Sequence, residues 1–232
     1  MKCAANDYSS DKVQQMEVFL KDFRNLSERE RSDRIDSFVS NFQEVFDASL
    51  SEASFNLFEI TGVGDDEVRH SSILAWLLNP RSRHTCRTLF LRSFLKVAGI
   101  VIPEEQIRDC SVRTEFPGTE STIDILIYRL GSFIIYLENK TKSPEGDKQV
   151  DREYRDLRCV GKSVRVPENM MFPIFLTPSG RKPISGDPEP WRTISYRDLA
   201  EEFRTLLPEI KDQKTYFLVQ DLIKIYQHLE GQ

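Results

Sequence analysis

The 232-residue chain is poor in cysteine, histidine and tryptophan, with four, three and two residues respectively. Cys3, Cys86, Cys110 and Cys159 form no CxxC pair and read as free thiols of a reducing compartment. Their even number leaves disulfides open only in an extracytoplasmic setting. His84 and Cys86 lack zinc-ligand spacing. Long apolar runs are also missing: no stretch approaches the ~18 residues of a membrane span, and Ile73 to Leu78 is broken within a few positions. Met1 to Ser10 has no apolar signal-peptide core. No P-loop, GxSxG elbow or dinucleotide fingerprint occurs. A soluble, cytoplasmic protein without a membrane partner is expected.

What is present can build a core. Hydrophobic residues make up 39% of the chain and charged residues 30%, with 15 Phe and 7 Tyr, too apolar a mixture for a disordered chain. The net charge of −5 is unevenly placed. Residues 1–64 carry 7 basic and 12 acidic side chains, whereas residues 65–232 carry 25 of each. Val68 to Pro103 holds Arg69, Arg81, Arg83, Arg87, Arg92 and Lys96 and no acid. Such a run either offers local basic surface to phosphates or is a solvated face.

The apolar period is helical at first, through Val13, Met16, Phe19, Leu20 and Phe23, then Ile35, Phe38, Val39, Phe42, Val45 and Phe46. Ser27 to Glu30 fits a capping box. After the break at Gly62 to Asp66, a helix is predicted over Glu67–Leu78, capped by Asp65 or Asp66 and stopped by Asn79-Pro80. Another is predicted over Thr85–Val97. Strands follow at Thr122–Tyr128 and Phe133–Asn139, with Leu130-Gly131-Ser132 as the turn. A helix over Glu145–Cys159, strands at Met171–Leu176 and Trp191–Ser195, and helices over Tyr196–Leu207 and Lys214–Leu229 complete the chain. This order defines an α/β or α+β arrangement around a small mixed sheet.

The chemistry concentrates in Ile123-Asp124-Ile125 and Glu138-Asn139-Lys140. Glu138 and Lys140 share a strand face. A three-residue turn, with Gly131 at positive φ, places Asp124 opposite Glu138; a two-residue turn sends it to the other face. Two desolvated carboxylates so close must share a proton or hold a cation. Oxygen ligands of this kind suit Mg²⁺. Lys140 beside them can orient or deprotonate a water, the arrangement of phosphodiester cleavage. A surface ion pair is the alternative reading of Glu138 with Lys140.

These residues resemble the PD-(D/E)xK nuclease superfamily. Glu67-Val-Arg-His70-Ser71, Trp76-Leu-Leu-Asn79-Pro80, Ile123-Asp124-Ile125 and Glu138-Asn139-Lys140 are similar to one bacterial branch of it, over about residues 60–180. The resemblance implies a restriction-endonuclease-like α/β core, a small mixed β-sheet flanked by helices, over residues 61–232. An N-terminal helical segment, residues 1–60, would pack on it. It implies Asp124, Glu138, Glu67 and the backbone carbonyl of Asn139 as metal ligands, and Lys140 as the catalytic lysine. Mg²⁺ is the implied metal, with Mn²⁺ as substitute. Arg69, His70, Arg81, Arg83, Lys142 and Gln149 are candidates for nucleic-acid contact, with the Arg81–Arg92 run at the cleft mouth. Two departures stand out: no proline precedes Asp124, and Gln149 and Tyr154 are five apart where relatives carry Gln-x-x-x-Tyr. Glu115 is a further acid of lesser rank.

Other assignments compete at two positions. Glu67 would serve a helix dipole equally well, and His70 would serve as a hydrogen-bonded group of the site or core. The expected function is a metal-dependent endonuclease acting on double-stranded DNA, an effector of prokaryotic antiphage defence. An oligomer or an activating partner would restrain it. The rival is a catalytically inactive nucleic-acid- or protein-binding module on the same fold.

Overall fold

Alternation of apolar side chains along two neighbouring segments makes a hairpin, and a third apolar segment extends it. In the computed structural model, which describes residues 56–229 and helical stretches within residues 14–20 and 30–40, strand β1 (Ser111–Pro117) pairs antiparallel with β2 (Thr122–Arg129), and β2 with β3 (Phe133–Asn139). Strands β4 (Met171–Thr177) and β5 (Arg192–Ser195) then add in parallel. The order β1-β2-β3-β4-β5 puts β3 in the middle, and all seven of its residues are buried, as a strand covered on both faces requires.

Side chains of β3 sort strictly by parity. Phe133, Ile135 and Leu137 enter one apolar cluster, built with helices α2 (Glu67–Leu78), α3 (Leu89–Val97), α6 (Tyr196–Leu206) and α7 (Gln213–Leu229). Ile134 and Tyr136 enter the other, under helix α5 (Gln149–Ser163), which crosses over from β3 to parallel β4. Two short helices complete the described core, α1 (Leu57–Ile60), with Phe58 buried, and α4 (Glu104–Arg108). This is the expected mixed sheet flanked by helices. The chain divides at 55/56, and residues 56–232 form the unit that carries the sheet. The expected capping box at Ser27 to Glu30 falls largely outside the described residues.

Several boundaries differ from the sequence reading for local reasons. The helix expected from Thr85 begins at Leu89, because Thr85 and Arg87 have φ of 60° and 51°, which an α-helix cannot accommodate. Likewise α5 starts at Gln149 rather than Glu145, after Lys148 at φ 45°. Helix α2 has its expected bounds, with the Asp66 side chain capping Arg69 N. Among the described residues, no helix is long and apolar enough to cross a membrane.

Candidate active site

The turn decides the site. Residues 130–132 form a three-residue loop with Gly131 at φ 68°, so the register Arg129↔Phe133 through Ile125↔Leu137 brings Asp124 opposite Glu138. Regular pairing stops there on the β3 side of β2 and is interrupted on the β1 side. Ile125↔Leu137 is the last pair with β3, and Glu115, across from Asp124 on β1, drops out of the ladder at φ 46°. The Asp124 side chain fills the gap: its Oδ2 accepts from Asn139 N at 2.8 Å. Glu115 itself is exposed.

Glu138 is 2% exposed and its Oε1 accepts from Lys140 Nζ at 2.9 Å. Glu67 reaches the same corner from the first turn of α2. Its Oε1 accepts from the amides of Thr141 (2.9 Å) and Ser143 (3.1 Å), while its Oε2 lies 3.8 Å from Lys140 Nζ. The Asn139 side chain locks the layer beneath. Its amide donates to Ser71 Oγ (3.0 Å) and the Glu67 carbonyl (3.3 Å), and its Oδ1 accepts from the buried Tyr196 hydroxyl. Helix α2, the end of β3 and α6 are thereby tied together around Lys140.

Sequence reading missed one acid. Glu153 on α5 is 1% exposed and shares a donor with Glu138: Gln149 Nε2 lies 2.6 Å from Glu138 Oε1 and 2.7 Å from Glu153 Oε1. Gln149 Oε1 is itself held by Gly146 N at 2.9 Å. The other Glu153 oxygen has no donor and Glu153 lies against the Glu138 carboxyl, so the pair is satisfied only by a shared proton or a cation. The i,i+4 spacing of Gln149 and Glu153 was the available signal; Tyr154, one residue on, does not share that face.

Burial, with charge second, sets the protonation. Burial, helped by Glu67, pushes Asp124 up to about 6 against the Asn139 amide and Lys140. Burial pushes Glu153 up to about 7, and burial with Asp124 and Glu153 carries Glu138 well above the ordinary range. Glu67 differs: burial would raise it, but the Thr141 amide, Lys140 and the Ser143 amide together hold it low. Lys140 is held charged by Glu138, Glu67 and Asp124 despite its burial. Four carboxylates thus surround one lysine.

The nucleic-acid candidates separate. Lys142 stays at the rim, paired with Asp65 at 2.6 Å. His70 is corrected: it is fully buried, its Nε2 bonded to the Gly64 carbonyl at 2.9 Å and its ring packed among Phe58, Tyr196 and Tyr226, and burial lowers its pKa. Gln149 is committed to the two glutamates. Arg69 lies about 200° round α2 from Glu67 and pairs with Asp66. Arg81 and Arg83 are exposed, but they follow the last turn of α2, about 17 Å along the helix from Glu67. Arg81 donates to the Asp109 carbonyl, just before β1, where Ser111 pairs with Tyr128 near the hairpin turn. They sit at the opposite end of the sheet from Asp124, not at a cleft mouth.

An all-oxygen donor set with excess negative charge fits a hard divalent cation, which uses one or two carboxylates and completes its shell with water. Asp124 and Glu138 meet that requirement. Glu67 differs from them in that its Oε1 is engaged by the Thr141 and Ser143 amides; among the described residues, no three His, Cys, Asp or Glu side chains form a group that could hold an ion.

A mixed five-stranded sheet with carboxylates and a lysine at the end of its hairpin is the framework of a phosphodiester-cleaving α/β enzyme. The family model described as the PD-(D/E)XK nuclease superfamily matches residues 55–226, and the chain belongs to that superfamily. Searches of curated proteins and of solved structures each found no match.

Proposed function

We propose that the chain is a divalent-metal-dependent endonuclease that hydrolyses phosphodiester bonds of double-stranded DNA. The carrying observation is the convergence of Asp124, Glu138 and Lys140 on one face where the hairpin ladder opens. Asp124 and Glu138 would hold the ion, Mg²⁺ or Mn²⁺, which when bound supplies Lewis-acid polarisation of the phosphate and a more acidic water.

The remaining steps belong to side chains. The Lys140 ammonium, held at the site by Glu138 and Glu67, would stabilise the negative charge that builds on the phosphate in the transition state and steer the attacking water. Glu67 keeps Lys140 oriented and fixes the 141–143 loop, and Lys142 at the rim receives a neighbouring phosphate. The branch resembled by the α2 and β3 motifs supports a role as an effector in prokaryotic antiphage defence.

Supercoiled plasmid, its covalently closed relaxed form and a matched RNA, each incubated with Mg²⁺, Mn²⁺ or EDTA, test this. Nicking of both closed DNA circles only with metal is expected. Cleavage that survives EDTA would remove the metal; cleavage of RNA alone would replace the substrate. Metal-dependent DNA binding with no cleavage would favour the binding module.

A further inference from the structure

At the end of α2 remote from Glu67, the loop after Asn79 and the start of α3 wall a cavity of about 450 Å³, within the ~300–1,000 Å³ of small-molecule sites. Four cations line it: Arg87 from the loop, Arg92 from α3, Arg108 from the end of α4 and Lys211 from the segment before α7. Among the described residues, none of the four makes an ion pair. Two acids also line it, Glu104 and Glu209, so the lining carries four positive and two negative charges. Glu104 is engaged by the Thr88 hydroxyl at 2.5 Å.

Thr88 occupies the N-cap position of α3 but does not cap, and the first turn contains no acid. The positive end of the helix adds to the four side-chain cations, offset in part by the Glu104 carboxylate on Thr88. Thr85 and Arg87, in the same wall, both hold left-handed backbone conformations, which are costly for such residues and collect at ligand sites.

We propose that this cavity binds a small phosphate-bearing anion, at a site separate from the candidate active site. Its cations converge from four chain segments on one recess, which suits a compact polyanion; a nucleic-acid strand would be served by a track along the surface. The length of α2 and the position of Asp109 beside the hairpin-turn end of the sheet keep the recess away from Asp124 and Glu138.

The test is calorimetric titration of the full chain with sodium pyrophosphate and with ATP, in EDTA so that no metal-bridged binding occurs at the acidic site. Saturable binding of either probe is expected, equal in Lys140→Ala and at least 10-fold weaker in Arg92→Ala/Arg108→Ala. Both arginines are exposed, so the double variant should melt with the wild type when no ligand is added. No saturable binding of either probe, or binding unchanged in the double variant, overturns the proposal. So does loss of affinity for a DNA duplex in the double variant when the wild type binds neither probe, which would place the recess on a DNA path.

Discussion

The main-chain amide of Asn139 donates to the side chain of Asp124 at 2.8 Å, where the ladder between β2 and β3 stops. A carboxylate thus substitutes for a strand carbonyl at the point where the sheet must open to admit a phosphate. The acid is oriented by backbone, which leaves its direction independent of flexible neighbours. It is also desolvated, which raises the cost of ionising it.

Asp124→Asn should therefore separate metal from fold. The amide oxygen can still accept from Asn139, but one anionic ligand is gone, so Mn²⁺ affinity should fall at least 10-fold and cleavage should be lost. Metal-free, the variant should melt at or above the wild-type temperature at pH 7.5 and show less advantage at pH 5, where the native acid is already protonated. Calorimetric titration with Mn²⁺ and paired melts measure both; a variant markedly less stable at pH 7.5 would assign Asp124 to folding alone.

The same burial makes stability depend on pH in a defined direction. Asp124 and Glu153 titrate near 3.8 and 4.5 when unperturbed but near 6 and 7 in the fold, and Glu138 also moves upward. At these three acids the native state thus binds more protons than the unfolded chain across roughly pH 4 to 7, so their contribution to stability falls as pH rises through that window, while buried His70 and His84, with lowered pKa, contribute in the opposite direction. Between pH 5 and 7.5 the metal-free wild type should therefore lose more melting temperature, or gain less, than Asp124→Asn/Glu153→Gln, which lacks two of these acids. Mg²⁺ or Mn²⁺ should restore stability more at pH 7.5 than at pH 5.5, since only the deprotonated acids bind it. The same metal-free pH dependence in the wild type and in that double variant would contradict the arrangement.

Much of this was legible because the decisive signals are local. Asp66 and Asn79-Pro80 bound α2, and Gly131 sets the register that aligns Asp124 with Glu138. The failures are tertiary or conformational. Nothing near His70 in sequence announces the ring cluster of Phe58, Tyr196 and Tyr226 that buries it. Arg81 and Arg83 look like neighbours of Glu67 in a basic run, yet a whole helix separates them. Left-handed Thr85, Arg87 and Lys148 delay two helices that propensity alone would start earlier. Glu153, not Tyr154, stands four residues after Gln149 and shares its face, and the tyrosine beside it masks that relation in the sequence.

Glu153 loads negative charge onto Glu138 through direct proximity and a shared Gln149 donor. In Glu153→Gln the side-chain oxygen can still accept from Gln149, so the architecture should hold. Without that charge Glu138 should ionise at lower pH, shifting the acidic limb of the pH–rate profile toward acid. Glu153→Asp, which keeps the charge, should shift it less. Profiles measured at saturating Mn²⁺ decide the point, and an unmoved limb in Glu153→Gln would reduce Glu153 to a packing role.

Lys140 is the residue on which cleavage should depend most. It is charged, mostly buried and bonded to Glu138 at 2.9 Å, with Glu67 Oε2 at 3.8 Å. It ligates no cation, so Lys140→Ala leaves the oxygen donors of Asp124 and Glu138 in place and removes their competitor. Divalent-metal affinity should be retained or raised. The rate should fall about 10²–10³-fold, the ordinary cost of losing one charge-stabilising group in a preorganised site. Metal-free, the variant leaves buried Glu138 without its cation, so its melting temperature should fall most at high pH and recover when Mg²⁺ is added. A plasmid-nicking assay and a calorimetric Mn²⁺ titration, beside melts at pH 5.5 and 7.5 with and without Mg²⁺, read all three quantities. Nicking at the wild-type rate by Lys140→Ala would sink the proposed mechanism and leave the non-catalytic binding module as the better description.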